Sequence, residues 1–188
     1  GTSRLSVDLH TAGYRSVCSL DVEAGCVAHL EAECGPREGM LFVVADISAA
    51  QAGHHPMLAD ASYEMIVDKG TSDALLCVEG GAAGMLIEAH RLLVEGGVYV
   101  IVSFRSPKLL RALFTPEALS FEVAAVEEVS SSDGGKHISI LRLVKTSAGV
   151  KEAPQAIQDQ IHTFQQSVMD DWYLSEHKLL TPARQTDL

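Results

Sequence analysis

Residues 67–75, Val67-Asp68-Lys69-Gly70-Thr71-Ser72-Asp73-Ala74-Leu75, decide how this sequence is read. They follow an apolar run, Tyr63-Glu64-Met65-Ile66-Val67, that reads as a strand heading into an interior. The strand ends on an acid, a base and a glycine, and a second acid stands one step into the next helix. Burying a charge is costly unless it has a partner. These groups therefore belong at the rim of a sheet, facing something.

Outward from that point, helices and strands alternate. Upstream, the pattern predicts a helix over Ser3–Ala12 stopped by Gly13, a strand over Ser16–Val22, and a helix over Glu23–Cys34 ended by Gly35-Pro36. Met40–Ile47 is a nearly continuous apolar run, as expected of a strand covered on both faces. A loop containing Gly53-His54-His55-Pro56 leads into the strand Tyr63–Asp68. Downstream, a helix over Ser72–Val78 meets a Glu79-Gly80-Gly81 break. An amphipathic helix over Met85–Val94 follows, with Met85, Leu86, Ala89, Leu92 and Leu93 on one face. Gly96-Gly97 is expected to cap it and launch a strand over Val98–Phe104. This rhythm predicts a doubly wound, mostly parallel α/β sheet.

The C-terminal part departs from it. Phe121–Ser130 and Lys136–Thr146 read as two strands joined by Ser131-Ser132-Asp133-Gly134-Gly135, an antiparallel hairpin. Residues 154–180 read as one long helix with a stripe of Ile157, Ile161, Phe164, Val168 and Trp172. That stripe suits packing against the domain or binding of a partner helix.

Composition bounds the function. At 188 residues and 47 % apolar, the chain is one globular domain with a tail. The formal charge of −11, without a Lys/Arg cluster, speaks against nucleic-acid binding. It suits a cationic small molecule or a basic protein surface, or serves solubility alone. The apolar runs are too short for a membrane span, and the first residues lack signal-peptide character. The four cysteines, Cys18, Cys26, Cys34 and Cys77, show no C-x-x-C spacing. Cys18 and Cys77 lie in apolar runs, where buried thiols are expected. Together these features point to a reducing, cytoplasmic compartment. His54-His55 have no third ligand at a suitable spacing, so no metal site is expected.

Three successive strands end on an acid: Asp21, Asp46 and Asp68. Each alone is equally a helix N-cap. Ligands of open α/β sheets bind outside the carboxyl ends of the strands, so three acids on that edge suit a ribose diol, an exocyclic amine and a positive charge. A pyrophosphate cofactor wants a glycine-rich, acid-poor edge, whereas a sulfonium welcomes carboxylates. S-adenosylmethionine is favoured over NAD on this ground.

With these residues, the chain resembles the class I (seven-strand) S-adenosylmethionine-dependent methyltransferases, and within them the methyltransferase-like group that methylates translation elongation factor 1-alpha. The matching motifs are Gly1-Thr2-Ser3-Arg4-Leu5-Ser6, Gly13-Tyr14-Arg15-Ser16-Val17 leading to Asp21, Ala45-Asp46, and Asp68-Lys69-Gly70-Thr71-Ser72-Asp73-Ala74. Arg91-Leu92-Leu93-Val94-Glu95-Gly96-Gly97 matches the group's helix end before the fifth strand. The resemblance covers residues 1–146. It implies a Rossmann-like seven-strand sheet closed by the C-terminal hairpin, with residues 147–188 forming a linker and helical tail. Gly1 matches the second glycine of the cofactor loop. The resemblance therefore implies that the first, central strand is missing from this chain and that the domain is N-terminally incomplete.

Residue by residue, the resemblance implies that Asp21 binds the ribose hydroxyls, that Gly1, Ser3 and Val22 also contact the cofactor, and that Asp46 and Ile47 border the adenine. It places Asp68 and Lys69 at the aminoacyl end of the cofactor. Ser106, Pro107 and Arg111 match a loop after the fifth strand that borders the acceptor, and Thr71 lies beside it. The implied reaction is methyl transfer to a protein lysine or other amine, with Asp68 and Asp73 positioning the incoming ammonium and a basic protein such as a translation factor as partner. The alternative is a methyltransferase-like interaction module that binds no cofactor and uses the tail helix. A nicotinamide-dependent reductase is disfavoured by the terminal hairpin and Asp68.

Overall fold

Short apolar strands pair in parallel in both sheets of this chain. The computed structural model describes residues 1–48, 58–130, 137–147 and 154–178. The Gly53-His54-His55-Pro56 loop, the Ser131–Gly135 turn and the last residues of the expected tail helix lie outside the described residues. Two compact units make up the chain, Gly1–Ile47 and Ser48–Leu188.

The first unit runs α1 (Leu5–Thr11), β1 (Val17–Asp21), α2 (Ala24–Cys34) and β2 (Met40–Val44). β1 and β2 pair in parallel from Val17↔Met40 to Asp21↔Val44. Val7 of α1 and Val27 and Leu30 of α2 are buried, as their helical spacing requires. β2 is shorter than the apolar run Met40–Ile47 suggests. Its neighbour β1 ends at Asp21, whose carbonyl takes the Ala45 N–H at 3.0 Å, and no ladder continues beyond that bond. Within β2 only Val43 is buried, so the strand is less covered than its composition predicts.

The second unit runs β3 (Tyr63–Lys69), α3 (Thr71–Leu75), α4 (Gly81–Leu92), β4 (Leu93–Ser103), α5 (Pro107–Phe114), β5 (Phe121–Ser130), β6 (His137–Lys145) and α6 (Pro154–Lys178). The sheet order is β3-β4-β6-β5. β3 and β4 are parallel, while β6 is antiparallel to both β4 and β5. The expected hairpin is therefore present and closes the sheet. Tyr99, Ile101, Leu141 and Leu143 share one face by register and are fully buried, as are Leu86, Leu110, Leu113, Phe114 and Ile161 of the helices.

Three local readings change. Gly96-Gly97 does not cap α4. β4 already begins at Leu93, and Gly96, at φ 78°, lies within the strand beside the register shift between Tyr63 and Met65. The shift from Tyr63↔Leu93 to Met65↔Val98 places three extra residues of β4 where a helix cap was expected. The α4 C-terminus is instead capped by Lys145. That side chain is 3 % exposed and its Nζ donates to the carbonyls of His90 (2.7 Å) and Leu93 (2.8 Å), a favoured place for a cation. Second, Ser106-Pro107 opens a helix rather than a loop. Ser106 is its N-cap, accepting the Leu109 N–H at 3.4 Å, and proline stands at the first turn. Third, α6 buries Ile157, Ile161 and Gln165 rather than the whole expected stripe, and Phe164 and Trp172 are more than a third exposed. Gln165 is buried because it bonds the Leu113 carbonyl at the end of α5 (3.1 Å).

Arg91, from the motif before β4, bridges Glu88 (2.8 Å) and the Leu58 carbonyl (3.0 Å) and pairs with Asp60, tying α4 to the approach of β3. No helix among the described residues is long and apolar enough to cross a membrane.

Candidate functional site

β3 delivers Asp68 to the carboxyl end of the second sheet, paired in register with Ile101 of β4. The chain then turns through Gly70 at φ 79°, a left-handed conformation that favours glycine, and enters α3. The turn brings the first N–H groups of α3 back over Asp68. Its Oδ1 accepts from Thr71 N (2.8 Å) and Ser72 N (3.3 Å), and its Oδ2 from Ser72 N (3.1 Å). Asp68 is thus the cap of α3, a negative group at a helix start, and is only 6 % exposed. Burial pushes its pKa above the usual carboxylate range, against the opposing pull of the hydrogen bonds from Ser72 and Thr71. Lys69 and Thr71 beside it are exposed.

Asp73 occupies the first turn of α3 and reaches the end of β4. Its Oδ1 accepts the Ser103 hydroxyl (2.6 Å), its Oδ2 accepts the Phe104 N–H (3.1 Å), and the Arg105 Nε lies 3.4 Å from Oδ1. Both acids expected to position an incoming ammonium are therefore engaged by donors of their own chain. Asp68 shapes the β3–α3 turn, and Asp73 fastens that turn to the β4–α5 connection. Of the acceptor-side residues, Ser106 and Pro107 start α5, and Arg111 lies exposed in its last turn. Cys77, expected to be buried, is exposed because α3 ends at Leu75.

In the first unit, the parallel register sets the ends of β1 and β2 side by side. Asp21 is 20 % exposed; its Oδ1 accepts the Glu23 N–H (2.9 Å), and its Oδ2 pairs with the amino group of Gly1. Exposed Val22 follows the acid. Asp46 is exposed two residues past the end of β2, and Ile47 is half-buried. A partly open carboxylate fits the paired hydroxyl donors of a ribose. The exposed acid and apolar residue after β2 fit an amine-bearing flat ring. These donor and acceptor types match the adenosyl half of S-adenosylmethionine.

Sequence reasoning missed three members of the second edge. Ser103 and Arg105 hold Asp73, and the only available signal was their position just past the apolar β4 run. Tyr99 is 1 % exposed and shares a sheet face with Asp68, through the pairs Ile66↔Tyr99 and Asp68↔Ile101. Burial first, then the Asp68 charge, pushes its hydroxyl well above the usual tyrosine range. No group of three or more candidate metal ligands occurs among the described residues.

Comparison with known proteins gives the same direction. No family model matches the chain. It is 33 % identical over 113 residues to eEF1A lysine and N-terminal methyltransferase of Danio rerio, covering 59 % of this chain and 16 % of that protein. It is 27 % identical over 136 residues to methyltransferase srdJ of Neurospora crassa, covering 70 % of this chain and 55 % of the relative. The chain thus spans about half of one relative and a small part of the other. Among solved structures, it is similar to a Burkholderia thailandensis 1,6-didemethyltoxoflavin-N1-methyltransferase with bound S-adenosylhomocysteine, at TM-score 0.54 and 21 % identity, over 78 % of this chain and 68 % of that one. It is also similar to the [4+2]-cyclase SpnF, at TM-score 0.59 and 16 % identity, over 78 % and 72 % of the two chains. The chain therefore has the mixed α/β fold of the class I S-adenosylmethionine-dependent methyltransferases and resembles the eEF1A methyltransferase group in sequence. The cyclase shows that this fold hosts other chemistry, so activity must be argued from the site.

Proposed function

We propose that this chain carries out S-adenosylmethionine-dependent methyl transfer to a protein lysine or another amine. The observation that carries the reading is Asp21: a partly open carboxylate, 20 % exposed, at the carboxyl end of β1 in a chain with the class I methyltransferase fold. In this reading Asp21 binds the ribose hydroxyls, Gly1, Ser3 and Val22 also contact the cofactor, Asp46 and Ile47 border the adenine, and Asp68 and Lys69 stand at the aminoacyl end. Thr71, Ser106, Pro107 and Arg111 border the acceptor. Residues 1–146 are the catalytic domain and 147–188 its linker and tail. A seven-strand sheet is the finer form of the fold: β1 in one sheet and β3 in the other each have an edge with no strand partner among the described residues, and the seven-strand pattern places a strand there. The acidic chain suits a basic protein acceptor such as a translation factor, met in the cytoplasm.

The bound cofactor supplies a methyl group on an electrophilic sulfonium. The protein's work is positioning and exclusion of water. A lysine acceptor has a reference pKa of about 10.4 and must lose its proton first, and desolvation at the site favours that neutral form. Asp73 fixes the Ser103–Arg105 connection that borders the acceptor, and Asp68 fixes the turn carrying Lys69 and Thr71.

Calorimetric titration with S-adenosylmethionine tests the reading: wild type binds, and Asp21→Ala loses at least about tenfold in affinity, as expected for removal of a charged hydrogen-bond acceptor. Unchanged affinity in Asp21→Ala overturns the ribose assignment. A cofactor-free interaction module draws on α6, where Trp172 and Tyr173 are 38 % and 55 % exposed. It predicts no heat with cofactor in either protein.

A further inference from the structure

The break after α3 and the tail helix enclose a cleft of about 410 Å³. Leu76, Val78, Ala82 and Met169 give it apolar walls, and Glu79 and Gln166 stand at its polar side. α6 is held to this place by specific bonds. His162 Nδ1 accepts the Gly80 N–H (3.2 Å), and Gln158 donates to the Gly80 carbonyl (3.4 Å). Gln165 reaches the end of α5 at the same time. The tail helix is therefore docked on the domain as a wall.

The cleft also borders the candidate site. The Cys77 sulfur, in its lining, bonds the Asp73 carbonyl (3.7 Å), and Arg105 spans from Asp73 to the Met169 sulfur (4.0 Å). A chain segment seated in the cleft would thus continue onto the carboxyl ends of β3 and β4.

Charge identifies what fits. Glu79 lines the cleft, and α6 between residues 154 and 173 carries Asp159, Asp170 and Asp171 with no Lys or Arg. Arg105, the cation that reaches Met169, has its charge met by Asp73. The volume is at the small end of ligand pockets, which run on the order of 300–1,000 Å³, so it suits side chains of an extended segment rather than a folded surface. Apolar walls with Glu79 at the cleft's polar side match the aliphatic stem and charged head of a basic side chain. We infer that this cleft binds a basic, lysine-bearing segment of a protein. That the segment is the methyl acceptor rests on the proposed function above.

The test is fluorescence anisotropy with a short fluorescein-labelled peptide of Lys, Arg and Leu, against an acidic peptide of equal length. The basic peptide should bind, and more weakly as salt rises. Glu79→Lys and Gln166→Lys, both surface changes checked for folding by circular dichroism, should each weaken it about fivefold to tenfold. Binding unchanged in both variants, or equal binding of the acidic peptide, overturns the inference. Cofactor calorimetry on the same samples keeps the two readings apart. Peptide binding sensitive to both variants, with no cofactor binding, sinks the methyltransferase reading and leaves the cleft. Cofactor binding with variant-insensitive peptide binding sinks the cleft alone.

Discussion

The carboxyl ends of the two sheets carry the same sequence signature, an aspartate at or just after the end of an apolar strand, and use it in different ways. At the end of β1, Asp21 keeps a fifth of its side chain open and accepts the Glu23 N–H of the following turn. At the ends of β3 and β4, Asp68 is buried under the first turn of α3, and Asp73 is committed to Ser103, Phe104 and Arg105. Asp73 is as open as Asp21, 21 % against 20 %, so the two edges differ in how firmly the chain's own donors hold each acid rather than in exposure alone.

The contrast is sharpest in stability. Asp68→Ala strips the α3 cap and leaves the buried Ser72 N–H without its acceptor. It should cost about 3 kcal/mol, read from chemical denaturation. Asp73→Ala should cost about 2 kcal/mol in the same experiment, because a charged group leaves two donors behind at a partly open site. A smaller loss than at Asp21 in either variant would break the comparison.

The interior at the other end of the second sheet, where α4 meets the start of β4, should respond to pH. His90 is 1 % exposed, and burial, with the Lys145 charge second, lowers its pKa from 6.5 to about 4. A depressed base binds fewer protons in the folded state, so its contribution is full above pH 6.5 and is lost as pH falls towards 4. Between these values the melting temperature should fall by about 5 °C from this group, and His90→Phe should flatten that part of the profile. Asp68 opposes the trend: its raised pKa favours the folded state below the ordinary carboxylate value and loses that advantage as pH rises through the folded one. Asp68→Asn removes the opposition and steepens the acid limb.

The smallest stability effect belongs to Asp21→Ala, within about 0.5 kcal/mol, as for other partly exposed surface changes. Its effect should be on cofactor affinity instead. A large stability loss there would make Asp21 a brace like Asp68 and remove the difference between the two edges.

Much of this was legible in the chain itself. The alternation of apolar periods predicted β1, α2, β3, α4 and the β5–β6 hairpin, because burial periodicity is a local property of sequence. Asp68-Lys69-Gly70-Thr71 located the sheet edge, because a buried strand cannot end on charges without a rim to receive them. The helix α5 was carried by Ser106-Pro107 and the apolar set Leu109, Leu110, Leu113 and Phe114, yet read as a loop when the motif resemblance was given more weight than the capping signal.

Only the tertiary structure decided what each group touches. Lys145 displaced Gly96 as the terminator of α4 because β6 brings a cation 52 residues away to the Leu93 carbonyl. Gln165 displaced Phe164 on the buried face of α6 because the end of α5 presents an open carbonyl there. The acids divide in the same way. Sequence determined that Asp21, Asp46 and Asp68 stand at or near strand ends, since that follows from local periodicity. Asp68 is held by N–H groups three and four residues on, a local turn, whereas Asp73 meets Ser103 and Phe104, 30 and 31 residues away, only because β3 pairs with β4.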